Sequence, residues 1–169
     1  MDRSKSITLL NTAISDELQA VHQYMYFHFH LDDQGLAPLA MLFKRTAIEE
    51  MLHVEKLAER NLFLKGEVEM AVAHGVEKIT DPVAILKKAM EMEESSQVFY
   101  NQAAIECGNN ADAVTKQLFE LLTADEERHF DQYEKQLEKI EKFGPSYLAL
   151  QSFNTAAEPG KGGAAGANA

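Results

Sequence analysis

Cysteine, tryptophan and long apolar runs are scarce in this chain or missing from it. Its one cysteine, Cys107, can form neither an internal disulfide nor a Cys-x-x-Cys metal site, which fits a reducing compartment. No apolar run approaches the roughly 20 residues that a membrane-spanning helix needs. The N-terminal stretch "MDRSKSITLLNTAISDE" becomes polar too early to supply the apolar segment of a signal peptide. We therefore expect a cytoplasmic protein that does not enter a membrane.

Positive charge is also in short supply. The chain has 16 lysines and arginines against 27 aspartates and glutamates, so its formal net charge is −11. Such a surface repels nucleic-acid phosphates, and we expect no direct binding of nucleic acid. It can attract cations into concave places, although the same charge can simply serve solubility. With 169 residues, 46% of them apolar, the chain is long enough for one domain with a buried core.

Proline and glycine are few and lie between long stretches of helical periodicity. "DDQG" ends the first stretch, Gly66 the second, and "FGP" the fourth. "TDP" predicts an N-cap followed by a first-turn proline, and "CGNN" predicts a glycine C-cap followed by an asparagine N-cap. The pattern predicts four helices, over about 4–32, 37–65, 82–107 and 111–143. "SYLALQSF" can add a short fifth helix.

The connections between these helices predict how they pack. Short turns within the first and second pairs make their helices antiparallel neighbours. About fifteen residues join the second helix to the third, and in extended form they reach roughly 50 Å, more than the roughly 40 Å length of a helix. We expect an all-α four-helix bundle with one long crossover, spanning residues 1–150. The Gly/Ala-rich residues 151–169 should form a flexible tail.

The core-facing stripe of each predicted helix is apolar toward its ends and polar in its middle. "IEEMLHVE" and "DEERHFDQ" each place a glutamate three residues before a histidine, and the other two helices each place one glutamate. The six polar positions are Glu17, Glu50, His53, Glu93, Glu126 and His129. Glu17 precedes Glu50 by 33 residues (50 − 17), and Glu93 precedes Glu126 by the same number (126 − 93). Each of the four glutamates also lies about 13–15 residues from the turn of its hairpin, so at 1.5 Å per residue all four lie at a similar depth, some 20–25 Å from the turns.

Convergence inside the bundle decides what these residues can do. A single Glu-x-x-His is usually an ion pair on a helix surface, and by the same geometry the neighbours Glu49 and Glu127 point off the site face. Four carboxylates buried together are strongly unfavourable unless cations lie among them. One glutamate from each of two helices plus Glu-x-x-His from each of the other two is a di-iron or di-manganese ligand set. Its oxygens and imidazoles suit iron or manganese better than a soft metal.

At these residues the sequence resembles bacterioferritin, in the ferritin superfamily, from about Ser6 to Leu150. The matching motifs are "LNTAISDELQAVHQY", "EEMLHVEKLAERNLFLKG" and "DEERHFDQYE". The resemblance implies a ferritin-like bundle in which Glu50 and Glu126 bridge two irons. Glu17 with His53, and Glu93 with His129, would then be terminal ligands. It also implies a hollow homo-oligomeric shell whose di-iron centre oxidises Fe(II) with O2 or H2O2 and which stores the ferric product.

Around the centre, two tyrosines support the resemblance and two other positions depart from the family's pattern. Tyr24 matches a tyrosine beside the centre, and Tyr100 stands seven residues after Glu93 as Tyr24 does after Glu17. Thr46 stands where the family can carry an acidic residue, and Gln132 where it can carry an aromatic one. These differences leave open how iron moves inward and how electrons are supplied. The shell can have 24 subunits, or 12 as in the Dps-like mini-ferritins.

Met51 matches the residue that binds haem b at a two-fold interface in the family. Plain apolar packing at an interface explains a methionine there equally well. His22, His28 and His30 resemble a metal-binding run, but a helix distributes them around its circumference, so we expect packing and surface roles. Cys107 ends a core stripe and should be unreactive.

Other functions remain open on the sequence. The same bundle could be a di-metal peroxidase or oxygenase, although a rubrerythrin would need a cysteine-rich iron domain that a single cysteine excludes. A Dps-like shell that consumes peroxide could protect DNA indirectly, while the acidic charge argues against direct DNA contact. A metal-free structural bundle is disfavoured by the buried carboxylates.

Overall fold

The computed structural model of the protein describes residues 1–154, and within that range it consists of five helices without strands. They are α1 (Arg3–Asp33), α2 (Ala37–Phe63), α3 (Pro82–Asn109), α4 (Ala113–Phe143) and α5 (Pro145–Asn154). The predicted fold class is confirmed. The short fifth helix is also present, and it continues four residues past the boundary predicted at residue 150. Residues 155–169 lie outside the described residues, so the flexible tail stays a prediction.

Most helix ends follow their capping residues. The side chain of Asp2 accepts a hydrogen bond from the Ser4 backbone and begins α1. Asp81 accepts from Ala84 at 2.8 Å, and Pro82 occupies the first turn of α3, as "TDP" predicts. Gly35 takes a positive φ of 75° after α1, where L residues are disfavoured. The capping residues, the proline and the glycine in the sequence therefore predict these helix ends correctly.

The turn between α3 and α4 differs from the sequence prediction. The helix α3 runs on to Asn109, and Asn110 is its C-cap rather than the N-cap of α4. Ala111 takes the left-handed conformation with φ 57°, and Asp112 caps α4. Asp112 is the better N-cap because Ser6, Arg60 and the Thr115 hydroxyl all donate to its carboxylate. The contacts with Ser6 and Arg60 come from other helices, and capping propensity does not include them.

The end of α2 shows a similar shift of one residue. Lys65, not Gly66, takes the left-handed conformation, with φ 69°. Gly66 is required for a different reason: a Cβ there would lie 1.9 Å from Asn61 Oδ1 and 2.9 Å from Ile7. The glycine therefore permits a close approach of the chain to α1 and α2.

The helices form two antiparallel hairpins joined by the predicted crossover. The helix α1 packs mainly on α2, and α3 packs mainly on α4. Residues 64–81 connect the hairpins and run along α1. The side chain of Gln23 accepts a hydrogen bond from the Glu77 backbone N–H at 2.8 Å and donates one to the Glu77 carbonyl at 2.9 Å. The Ala73 N–H donates to the Ser15 carbonyl at 3.2 Å. No helix of the described range is both long and apolar enough to span a bilayer.

The core consists of two apolar clusters, one toward each end of the bundle. One contains Phe27, Leu39 and Phe43, and the other contains Leu10, Leu57 and Phe119, among others. On every long helix the polar residues predicted from the stripe fall between the part that enters one cluster and the part that enters the other. The bundle thus holds a polar layer in the middle of an apolar core.

Candidate metal centre

The six residues predicted from helical spacing meet in this middle layer. All are at least 97% buried. Their ligand atoms form two groups, each with all atoms within 4.8 Å of one another: Glu17, Glu50, His53 and Glu126 in one, and Glu50, Glu93, Glu126 and His129 in the other. Glu50 and Glu126 belong to both groups. Such sharing is what two bridging carboxylates between two cations would produce.

Each histidine turns its Nδ1 atom toward three carboxylates. Nδ1 of His53 lies 2.8 Å from Glu50, 3.2 Å from Glu17 and 3.2 Å from Glu126. Nδ1 of His129 lies 3.1 Å from Glu50, 3.4 Å from Glu126 and 3.7 Å from Glu93. The two ring centroids are 6.0 Å apart, and the ring planes are inclined by 28°. The three contacts of His53 thus correspond to the three contacts of His129, as they would if a pseudo-two-fold axis related the two hairpins.

The donor set fits two cations. Among the described residues, both carboxylate oxygens of Glu50, Oε1 of Glu126 and Nδ1 of His129 are buried without a partner in hydrogen-bond geometry. Buried polar atoms rarely lack a hydrogen-bond partner, and a role as metal ligands explains why these atoms do. Four carboxylates and two imidazoles match the ligands that iron or manganese takes.

The pKa values of the residues in the layer also favour the binding of cations. Burial raises the pKa of Glu17 and of Glu93 well above the usual range, and the neighbouring carboxylates raise both further. Burial alone would lower the pKa of His53, but contacts with Glu126, Glu17 and Glu50 raise it to about 12. Because the carboxylates lie so close together, Glu17, Glu93 and His53 all bind protons more tightly than they would in water. A cation can replace those protons, because metal ligation and proton binding compete for the same atoms.

Two tyrosines link the terminal carboxylates across the bundle. Tyr24, on α1, donates to Glu93 Oε1 on α3 at 2.6 Å, and Tyr100, on α3, donates to Glu17 Oε1 on α1. Burial, followed by the charge of the facing glutamate, raises the pKa of both phenols well above the usual range. Both tyrosines are therefore neutral donors at physiological pH. They hold the two carboxylates in place from opposite helices.

Sequence reasoning missed a polar group on the α2–α4 side of the layer. Glu49 lies 2.9 Å from His129 Nε2, and Asp125 lies 3.2 Å from His53 Nε2. Arg128 contacts both carboxylates. Glu49 points off the site face of its own helix, as expected, yet it reaches the outer nitrogen of a histidine on the neighbouring helix. In the sequence, only the position of Glu49 next to the predicted ligand Glu50 could have indicated this contact.

The α1–α3 side of the layer is open instead of closed. A cavity of about 340 Å³ is lined by Glu17, Glu50, Glu93 and Glu126, and also by Asp16 of α1 and His74 of the crossover. The carboxylates of the layer are therefore reachable by a small ion or molecule from this side.

An aromatic residue lies near the centre even though Gln132 is not aromatic. Tyr133, one residue further along α4, is fully buried and stacks on Phe43 with ring centroids 4.9 Å apart. It also meets Tyr24 edge-on at 5.9 Å. Thr46 donates to the Leu42 carbonyl at 3.2 Å, which satisfies its own hydroxyl.

The remaining candidate residues lie away from the centre. Met51 is 52% exposed on α2, so its haem role stays a prediction. His28 is buried with Nδ1 2.9 Å from the Ala40 carbonyl, while His30 stacks on Tyr26 at 4.3 Å. These histidines pack locally and do not form a cluster. Burial raises the pKa of the Cys107 thiol, in agreement with an unreactive cysteine.

Comparison with known proteins identifies the family. Residues 7–143 match the ferritin-like domain. The bacterioferritin of Rhodobacter capsulatus is 35% identical over 148 residues, which cover 87% of this chain and 91% of that protein. The chain belongs to the bacterioferritin family. Another bacterioferritin, from Desulfovibrio desulfuricans, is 35% identical over 147 residues, covering 87% of this chain and 82% of that protein.

Solved bacterioferritin structures share the whole fold. The structure from D. desulfuricans has a TM-score of 0.87 at 33% identity over 95% of each chain, and it shows a diiron site in different catalytic states. The structure from R. capsulatus has a TM-score of 0.85 at 32% identity, covering 96% of this chain and 98% of that one. It has a metal-free dinuclear site and a heme iron in a crystallographic special position.

Proposed function

We propose that this bacterioferritin-family chain is a ferroxidase and an iron store. It oxidises Fe(II) to Fe(III) with O2 or H2O2 at an intra-subunit centre, and the ferric product is held inside a hollow homo-oligomeric shell. The observation that carries this function is the pair of ligand groups that share Glu50 and Glu126. Two irons bound there would each supply one electron to the oxidant.

The residues of the centre have distinct roles in this proposal. Glu50 and Glu126 would help to hold both metals, since both residues belong to both groups. Glu17 with His53 would hold one metal, and Glu93 with His129 would hold the other. Tyr24 and Tyr100 fix the terminal carboxylates through their hydroxyls. The apolar clusters on either side exclude water from the ends of the layer.

Access to the centre runs through the cavity between α1 and α3. Its lining includes all four glutamates of the layer, so Fe(II) or the oxidant that enters it meets the ligands directly. Asp16 and His74 also line it and offer further oxygen and nitrogen donors. The acidic charge of the chain favours the approach of cations.

The shell, the haem and the compartment extend this proposal. A shell of 24 copies is favoured by the near-complete overlap with bacterioferritins, and a shell of 12 is the alternative. The heme iron of the R. capsulatus protein supports haem b at Met51, which is exposed on α2 and available to a second copy. We place the protein in the cytoplasm, in keeping with its single cysteine.

Iron oxidation by the purified apo protein tests the function. Fe(II) is added in stopped-flow experiments with O2 and, separately, anaerobically with H2O2, and the oxidised iron that co-elutes with protein is measured. We expect fast oxidation of about two Fe(II) per chain, followed by slower uptake of further iron into the particle. A protein that leaves the oxidation rate unchanged with both oxidants would refute the function. The oxidant that gives the faster first phase is the preferred one.

A further inference from the structure

Arg128 on α4 bridges two carboxylates that belong to different helices. Its Nη2 donates to Glu49 Oε2 of α2 at 2.6 Å and to Asp125 Oδ1 of its own helix at 3.0 Å. We name these three residues, Glu49, Asp125 and Arg128, the clasp. The clasp lies on the α2–α4 side of the metal layer, opposite the cavity.

Each carboxylate of the clasp also meets a histidine of the centre, and does so crosswise. Glu49, on α2, lies 2.9 Å from Nε2 of His129 on α4. Asp125, on α4, lies 3.2 Å from Nε2 of His53 on α2. Each histidine thus faces the glutamates of the layer with Nδ1 and the clasp with Nε2. Both rings therefore contact the clasp in the same way.

We propose that Arg128 is a positioning residue for the metal centre: it holds Glu49 and Asp125 against the outer nitrogens of both histidines. The inference rests on the proposed function, in that the histidines are taken as metal ligands. The Nε2–H group of each ring donates to its carboxylate. That contact fixes the orientation of the ring and aims Nδ1 at the metal position, so that Nδ1 can bind a metal once its proton is displaced.

Apart from the two histidines themselves, no described residue other than Arg128 contacts both carboxylates. Glu49 and Asp125 have side chains 39% and 33% exposed, and both belong to a strongly acidic chain. Lys56 lies 4.0 Å from Asp125, but its side chain is 52% exposed, and among the described contacts it forms no ion pair with Glu49. With the arginine removed, the two carboxylates repel each other and can turn toward solvent. The imidazoles would then lose their fixed orientation.

The clasp has little to do with holding the fold together. The Arg128 side chain is 43% exposed, and ion pairs at such sites contribute little to stability because water and salt screen them. A structural role and a positioning role therefore predict different results. Loss of a structural ion pair would change the melting temperature, whereas loss of a positioning residue changes how the metal is held.

Binding of Co(II) to the full-length apo protein tests the inference. Co(II) takes nitrogen and oxygen ligands, and its visible absorption reports on their geometry. Wild type is compared with Arg128→Gln, with Arg128→Lys, which keeps one cationic nitrogen able to lie between the carboxylates, and with Lys135→Gln. The last removes the same charge from the same helix, where Lys135 pairs only with Asp131 among the described residues. Affinity, absorption spectrum, release to a chelator and apo melting temperature are measured for each.

We expect Arg128→Gln to bind Co(II) about tenfold more weakly, to release it faster and to show an altered spectrum, since residues that orient metal ligands typically contribute this much. Its apo melting temperature should match wild type. Arg128→Lys should recover most of the affinity, and Lys135→Gln should behave as wild type. An unchanged affinity and spectrum in Arg128→Gln would overturn the inference, as would an equal loss in Lys135→Gln. Equal Co(II) binding by wild type and Glu50→Ala would instead overturn the proposed function.

Discussion

At the scale of single residues, the proposed function rests on two shared carboxylates. Glu50 and Glu126 are the residues common to both ligand groups, and Glu50 has both oxygens buried without a hydrogen-bond partner among the described residues. We therefore expect both residues to contribute mainly to metal binding and little to the stability of the apo fold.

Replacing either shared glutamate with alanine should separate activity from stability. We expect Glu50→Ala and Glu126→Ala to abolish fast Fe(II) oxidation while the apo protein keeps its fold, because both side chains belong to the ligand groups and to neither apolar cluster. Glu127→Ala, on the exposed side of α4, is the matched control and should oxidise iron normally. Stopped-flow oxidation and thermal melts of the apo proteins measure both effects. Loss of activity in Glu127→Ala with retention in Glu50→Ala would show that the register of the site is wrong.

Asp112 is a second residue whose charge matters, in this case for stability. It is buried, caps α4, accepts from Ser6 at 2.7 Å and pairs with Arg60 at 2.6 Å. Burial alone would raise the pKa of its carboxyl, but hydrogen bonds from Thr115, Ser6 and Arg60 lower it overall. The charged form therefore stabilises the fold above the unfolded pKa near 3.8, and this stabilisation is lost as pH falls through the lower folded value.

We expect Asp112→Asn to lower the stability of the apo protein at pH 7 by about 2 kcal/mol, since it loses a charged hydrogen-bond partner. The gap to wild type should narrow below pH 3.8, where wild type also loses the charge. Asp81→Asn is the control, because Asp81 is an exposed N-cap and asparagine caps equally well. Thermal midpoints at one protein concentration provide the comparison. A gap that stays constant with pH would contradict the assignment of the charge.

At the scale of helices and turns, each hairpin closes through a backbone conformation that L residues disfavour. In the second hairpin, Ala111 takes φ 57° directly before the N-cap Asp112. Its backbone N–H donates to the Gly108 carbonyl at 3.0 Å, and the next N–H donates to the Cys107 carbonyl at 2.9 Å. These bonds satisfy the last carbonyls of α3, so the conformation is kept despite its strain.

Ala111→Gly should therefore stabilise the protein, by about 1 kcal/mol, because glycine adopts positive φ without a Cβ clash. Ala124→Gly, at an exposed position in the middle of α4, makes the same substitution in a helix and should destabilise it by roughly 0.5–1 kcal/mol. Thermal midpoints of both apo variants test the pair. A decrease for Ala111→Gly would show that Ala111 does not hold the left-handed conformation in solution.

At the scale of the whole molecule, the exposed apolar residues of α2 require an explanation. Met41, Ile48, Met51 and Leu52 are all more than 40% exposed in the isolated chain. Exposed apolar residues on one helix are typical of a contact between subunits. The shell that we propose would cover such a face with a second copy.

The size of the particle follows from the proposal. At 18.9 kDa per chain, 24 copies have a mass of roughly 450 kDa and 12 copies roughly 230 kDa. We expect size-exclusion chromatography with light scattering to give one of these two masses, with iron in the same fraction after loading. A monomer or dimer that carries no iron would contradict the shell.

Haem binding tests the role of Met51 in the assembled particle. We expect protein produced with ample haem to show a Soret band, and Met51→Leu to lose it because leucine has no sulfur to ligate iron. Met41→Leu replaces another exposed methionine of α2 and should keep the band. If wild-type protein shows no Soret band, packing between subunits is the better explanation of Met51.

The sequence by itself determined the helices, the crossover and the six residues of the middle layer. It could do so because helical periodicity shows which face a residue occupies, and spacing from the turns shows its depth. The family followed from the same residues. Each of these properties depends on distance along one chain segment, which the sequence records directly.

Only the tertiary structure decided how neighbouring helices meet. It placed Glu49 and Asp125 on the outer nitrogens of the histidines, Tyr24 on Glu93, and the left-handed conformation on Ala111 instead of a glycine or asparagine. These outcomes depend on ring orientation and on the spacing between helices, which no single helix encodes. A residue that points off the site face of its own helix can still contact a long side chain that extends from the next one, and periodicity cannot show that contact.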